Sequence, residues 1–424
     1  MQPVELGHVA AGDGPTLVAV HGGLLSGRPT FGPVLPDWAQ RFRVLVPDRR
    51  GFERSPGLGG TIAEQARDLE AFVDAHAGGR AHVVAFSFGA IVVLTALQLE
   101  RRLFASVTVI EAPAVTLAGR DPEALGLRSW LAELHDTAVG GDGRAAAHAF
   151  FAFMDHRALG RIDALLDIGD PGVHVALDEL RVWQTPLSAA GLAGLDVPVL
   201  AVTGERSPAV MHRLGDHVAR ATGGRHVVQP AAGHAAHLIG RPFRDRLCAH
   251  VADAEAARSR DDRVELTPWD PGWAARYARE HAAIAEARGD EVRAIEHIGS
   301  TAVEGLDAEP IVDVAVGVAD DAAVDAAAGR LRAAGYAPSP QRDDGHRLAV
   351  RRADGRRLAH AHVVVHDGRS WRDHVAFRDL LRADADLRDA YRAHKRDLAT
   401  RHRGDREAYT AAKADFVTTA LAGR

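Results

Sequence analysis

The sequence predicts an α/β domain with a doubly wound parallel sheet and a helical lid, followed by a second, smaller domain. Three observations carry this. Short apolar runs alternate with helix-forming stretches from Thr16 to Arg101, the order that places helices on both faces of a parallel sheet. One of these runs, Ala81–Phe86, turns through Ser87 into a helix-forming stretch with small residues two before and two after it. At 424 residues the chain also exceeds what one core usually serves, and Ala252–Asp262 is small and charged with no apolar face, the mark of a helix tail running into a linker.

The elements follow in order. Thr16–Val20 is a continuous apolar run, as a buried parallel strand requires, and it ends in His21-Gly22-Gly23. The glycines let the loop backbone fold close over a site. Arg43–Val46 is the next strand, and Pro47-Asp48-Arg49-Arg50-Gly51 supplies turn chemistry after it. A helix is expected over Thr61–His76. Ala81–Phe86 then leads into Ser87, with Ala85 and Gly89 as the flanking small residues. That is the layout of a nucleophile elbow, which lifts a hydroxyl above the sheet edge. It aims the Phe88 N–H at the place where an oxyanion would form, with Gly23 as the second donor. A helix across Ala90–Arg101 and a strand at Val107–Ile110, ending in Glu111-Ala112-Pro113, complete this half.

Taken in order, His-Gly-Gly, Asp-Arg-Arg-Gly-Phe-Glu-Arg-Ser and Ala-Phe-Ser-Phe-Gly resemble the α/β-hydrolase superfamily over roughly the first 250 residues. The resemblance implies a cofactor-free Ser-acid-His mechanism with Ser87 as nucleophile. The loop Pro230-Ala-Ala-Gly-His234 is similar to the family's Gly-His loop, so His234 is the expected base and His237 its competitor. The acid departs from the common pattern. Where many members carry Asp after the next-to-last strand, Gly204-Glu205-Arg206-Ser207 places a serine, which cannot steady an imidazolium. Some members draw the acid from the strand after the nucleophile helix, which points to Glu111, with Glu205 second. The order Ser87, Glu111, His234 keeps the family's sequence of roles.

Between about 113 and 196 apolar residues recur at helical spacing, among them Trp130, Leu131, Leu134, Phe150, Phe151, Phe153 and Met154. This reads as a helical lid over the pocket. A serine at the elbow disfavours the alkyl-enzyme chemistry of an aspartate nucleophile. A small or medium ester is the expected substrate.

Composition bounds the partners. With 46% hydrophobic and 25% charged residues the chain has an ordinary globular composition. A net charge of −6 argues against a general nucleic-acid binder. One cysteine, Cys248, excludes an internal disulfide. No apolar run of eighteen residues occurs, and the first residues lack the pattern of a signal peptide, so a cytoplasmic protein without membrane partners is expected.

Residues 263–424 change character, with 251–262 as the expected linker. Trp269-Asp-Pro-Gly-Trp273, Glu296-His-Ile-Gly-Ser-Thr, Pro310-Ile-Val-Asp313-Val-Ala315, His360-Ala-His362 and Trp371-Arg-Asp-His-Val-Ala-Phe together resemble the GrpB family. The resemblance implies a smaller α+β, nucleotidyltransferase-like fold. A Gly299-Ser300 turn opening a helix would suit a phosphate, and Asp313 could hold a divalent metal. Transfer chemistry in this fold uses two acids one residue apart, but Ala315 stands at the second position. His360 and His362 share one strand face as substitute ligands, and Glu309 stands where the family tends to place lysine. Two readings remain open at this stage: a serine hydrolase with an appended GrpB-like domain, or a nucleotide-binding or nucleotidyltransferase-like protein with a vestigial hydrolase half.

Overall fold

The computed structural model describes residues 3–57, 59–99, 103–155, 179–185, 187–343, 345–353 and 356–423. The chain divides into two units, residues 1–254 and 255–424.

The first unit is built on a seven-stranded sheet. Its strands are β1 (His8–Ala11), β2 (Thr16–Val20), β3 (Arg43–Pro47), β4 (Ala81–Phe86), β5 (Phe104–Ile110), β6 (Val199–Gly204) and β7 (Arg225–Gln229). They lie in the order β1-β3-β2-β4-β5-β6-β7, with only β1 antiparallel to its neighbour. The central strands are buried on both faces, so their sequences, TLVAV and AHVVAF, are continuous rather than alternating. The helix Ile62–His76 begins with a reciprocal capping box, in which Glu64 N donates to Thr61 Oγ1 and Thr61 N to Glu64 Oε2. The helix Phe88–Leu99 is buried at every position from Phe88 to Leu97 and fills the core beside β4.

Between β5 and β6 stand the helices Pro122–Val139 and Gly143–Asp155. The remainder of the expected lid, residues 156–178, lies outside the described residues. Leu131, Phe150, Phe151 and Met154 face the pocket as expected of lid residues, whereas Phe153 is 39% exposed and packs its ring on Trp130 at 4.6 Å.

Residues 251–262, expected as a linker, are instead the last part of a helix spanning Arg241–Asp262. Composition explains the difference. The stretch contains neither glycine nor proline and is rich in alanine, with two arginines, residues of high intrinsic helix propensity.

The second unit carries a five-stranded mixed sheet in the order β10-β11-β12-β9-β8. These are β8 (Val292–Ile298), β9 (Val312–Val318), β10 (Tyr336–Asp343), β11 (His346–Ala353) and β12 (Arg356–Val365). β9 and β12 run parallel and pair Asp313 with His360 and Ala315 with His362; the other pairs are antiparallel. Val312, Val314, Val316 and Val318 bury one face against Ile284, Val324 and Leu331. Ala315, Ile298, Val364 and Trp371 form a smaller cluster on the other. The expected helix after Gly299 is only a three-residue 3-10 turn, Ser300–Ala302. No helix among the described residues is long and apolar enough to cross a membrane.

Candidate active site

Ser87 sits at the tip of β4 with φ +52°. Left-handed backbone on a residue with a Cβ costs about 1–2 kcal/mol, and the neighbours hold it there. Ser87 N donates to Ile110 O at 2.8 Å, and Gly89 lies so close to the preceding loop that a Cβ there would stand 2.3 Å from His21 O. Glu111 repeats the arrangement on the adjacent strand. It has φ +54°, its N donates to Val202 O at 2.9 Å, and its side chain is fully buried.

The structure brings Ser87, His234 and Glu111 together, the first two from positions 147 residues apart. His234 Nε2 faces Ser87 Oγ at 3.3 Å, and its Nδ1 faces Glu111 Oε2 at 3.3 Å. The second carboxylate oxygen, Oε1, accepts from Gly204 N and from Ser207 Oγ, both at 2.6 Å. Burying a carboxylate is costly unless its oxygens are hydrogen-bonded. Ser207, which stands where the resemblance leads an acid to be expected, thus donates to the carboxylate of Glu111 at the end of the neighbouring strand.

Glu205 does not reach the imidazole. It is exposed, and its Oε2 accepts from Ala231 N at 2.9 Å, bracing the loop that presents His234. His237 lies apart as well. It is buried, its Nε2 donates to Thr30 O at 3.2 Å, and burial lowers its pKa to about 4. Its ring packs against Phe31 and Phe86.

Gly23 and Phe88, the expected oxyanion donors, both line the cavity above Ser87. The cavity measures about 90 Å³, and its wall is apolar: Leu24, Leu25, Phe86, Phe88, Leu131, Ala146, Phe150, Met154 and Val182 contribute, with Phe150 reaching the His234 ring.

In the second unit, Asp313 Oδ1 receives two imidazoles, His360 Nδ1 at 3.0 Å and His362 Nε2 at 3.4 Å. Burial would raise the Asp313 pKa, but the two histidine contacts outweigh it and hold the carboxyl well below its usual range. Gly299, with φ +70°, lies against the same carboxylate, where a Cβ would meet Asp313 Oδ2 at 2.3 Å. Ser300 Oγ accepts from Lys395 Nζ at 2.8 Å, and that lysine also donates to Asp307 O. Burial lowers the Lys395 pKa to about 7. Glu309 is paired with Arg406 and stands 3.9 Å from Lys413.

A family model described as alpha/beta hydrolase fold matches residues 15–240. The chain belongs to the α/β-hydrolase fold family. Its second unit is a GrpB domain: the GrpB protein model matches residues 263–422. A UPF0157 protein of Streptomyces coelicolor is 41% identical over 154 residues, 36% of this chain and 80% of that protein. The glutamate-rich protein GrpB of Alkalihalophilus pseudofirmus is 32% identical over 163 residues, 37% of this chain and 94% of that protein. Among solved structures, a hydrolase from Oleispira antarctica covers 58% of this chain and 94% of its own at 17% identity, with a TM-score of 0.48.

Sequence reasoning passed over one residue that shapes the hydrolase site. Arg49 is buried and clamps the loop that carries Gly23: its Nε donates to His21 O, its Nη2 to Gly22 O at 2.7 Å and its Nη1 to Gln65 Oε1 at 2.6 Å. Its guanidinium also lies 4.8 Å from the Phe52 and Phe88 ring centres. The next arginine has a different task. Arg50 pairs in bidentate fashion with buried Asp68 and ties this turn to the helix Ile62–His76. Two adjacent arginines after a strand are the only signal in the sequence, and it does not say which one clamps the loop, since both are buried.

Proposed function

We propose that the hydrolase domain is a serine hydrolase that cleaves small or medium, uncharged ester-like substrates through an acyl-enzyme on Ser87. The observation that carries this reading is the unbroken link of hydroxyl, imidazole and buried carboxylate, each step at 3.3 Å. His234 takes the Ser87 proton on Nε2 as Oγ attacks the carbonyl carbon. The oxyanion then faces the Gly23 and Phe88 backbone, where fixed donors in a dry site stabilise charge more than water would. His234 returns the proton to the departing alcohol, and a water activated in the same way releases the acid. Glu111 keeps the Nδ1 proton in place and balances the imidazolium.

The pocket argues for the substrate class. No Asp, Glu, Lys or Arg lines it among the described residues, so an anionic acyl group would lose its hydration without a partner. Compact apolar acyl chains fit the wall. The linked arrangement and the apolar pocket above it both count against a vestigial hydrolase half.

A fluorophosphonate probe tests the reading directly, with Ser87→Ala as the control. Labelling of Ser87 and turnover of short-chain p-nitrophenyl esters are expected, with loss of both in the variant. Folded protein that neither labels nor turns over any ester in a graded series would overturn it.

A further inference from the structure

We propose that the GrpB domain binds one divalent transition-metal ion on Asp313, His360 and His362. The proposal stands apart from the hydrolase reading. It starts from the register of two parallel strands. β12 places His360 beside Asp313 and His362 beside Ala315, so an imidazole from the neighbouring strand lies opposite the position where a second carboxylate would be expected. Ala315 is fully buried and has no polar atom to offer. A pair of Mg²⁺ ions, which needs oxygen ligands from two acids, does not fit this donor set.

What the site offers is two imidazoles and one carboxylate. That combination suits zinc, manganese, iron, cobalt or nickel better than magnesium or calcium. The spacing is right for one ion. Ligands about 2.0–2.1 Å from a tetrahedral centre stand about 3.4 Å from one another, and Asp313 Oδ1 lies 3.0 Å from His360 Nδ1 and 3.4 Å from His362 Nε2. One ligand atom from each of the three residues falls within 4.8 Å of the others. A small movement of the side chains would admit the ion.

One further observation points the same way. Ligating histidines are usually steadied through the second ring nitrogen, and His362 Nδ1 faces His346 Nε2 at 3.2 Å. Three protein ligands also leave positions free for water or an exogenous oxygen ligand.

The test uses the full-length protein, stripped with a chelator and titrated with Co²⁺ alone while its visible absorption is followed. One equivalent per chain is expected, displaced by Zn²⁺ and not by a large excess of Mg²⁺. His360→Ala and His362→Ala should each weaken binding by more than ~100-fold, beyond the loss usual for a residue that only orients a ligand. No binding, displacement by Mg²⁺, or unchanged affinity in a folded His360→Ala/His362→Ala double variant would overturn the proposal. Should the variants fail to fold, X-ray absorption on the Zn²⁺-loaded wild type decides: two imidazole shells are expected, and fewer than two would refute the assignment.

Discussion

Replacing Glu111 by glutamine isolates the charge that the mechanism assigns to it. The substitution keeps the shape of the side chain, and its carbonyl oxygen can still accept from Gly204 N and Ser207 Oγ, which now lie 2.6 Å from Oε1. It changes only the atom facing His234 Nδ1. Two effects then add. A carboxylate about 4 Å from an imidazolium at an effective dielectric near 20 contributes about 4 kcal/mol to the charged pair, which is about a thousandfold in rate. The amide also turns a donor toward Nδ1 and favours the wrong tautomer, for which a total loss of about 10⁴ has a precedent in a serine protease. We therefore expect kcat on a short p-nitrophenyl ester to fall by about 10³–10⁴ with KM nearly unchanged. Circular dichroism and the melting temperature should stay close to wild type, since both hydrogen bonds to the loop survive. The reasoning fails if kcat drops by less than about tenfold, or if Glu205→Gln, on the exposed side of the loop, has the larger effect.

Three other outcomes follow from the same geometry. Ser207→Ala removes a donor from a buried carboxylate and should cost about 1.5–3 kcal/mol of stability by urea denaturation, with a smaller rate loss than Glu111→Gln. Arg49→Met removes the Arg49 donor from the His21 carbonyl, a loss of about 1–3 kcal/mol, and leaves Gly22 O with only His21 Nδ1 at 2.9 Å. A lowered melting temperature and a reduced kcat are expected together, because the Gly23 loop loses its clamp. His250 is buried and its pKa is lowered to about 4, by burial first. The folded state therefore resists the proton that the unfolded chain accepts near 6.5, and stability is complete above that value and declines as the pH falls toward 4. Between pH 7.5 and 5 the wild type should lose about 2 kcal/mol more than His250→Gln, and equal losses in the two proteins would contradict the assignment.

Much of the hydrolase site is legible in the sequence because its chemistry is local. The elbow needs small residues at fixed offsets from Ser87, and the end of a buried strand announces Glu111. The absence of an acid at Ser207 is equally plain. What the sequence does not display is how that serine is used: its bond to Glu111 spans 96 residues and exists only once β5 and β6 lie side by side. Arg49 is hidden for a related reason. Nothing in two neighbouring arginines separates the one that clamps a loop from the one that anchors a helix. Strand β1 also goes unseen, because HVAA is short and only partly buried. In the GrpB domain the residues Asp313, His360 and His362 can be picked out singly, but their convergence depends on the pairing of β9 with β12, a register that no local pattern specifies.

The two positive-φ residues at the ends of β4 and β5 belong to adjacent rungs of one ladder, joined by the Ser87 N to Ile110 O bond. Ser87 and Glu111 therefore share a single rigid mount. Of the three groups, only the imidazole rides on a loop. Warming or loosening of the protein should thus silence it first by letting His234 wander, well before the sheet itself gives way.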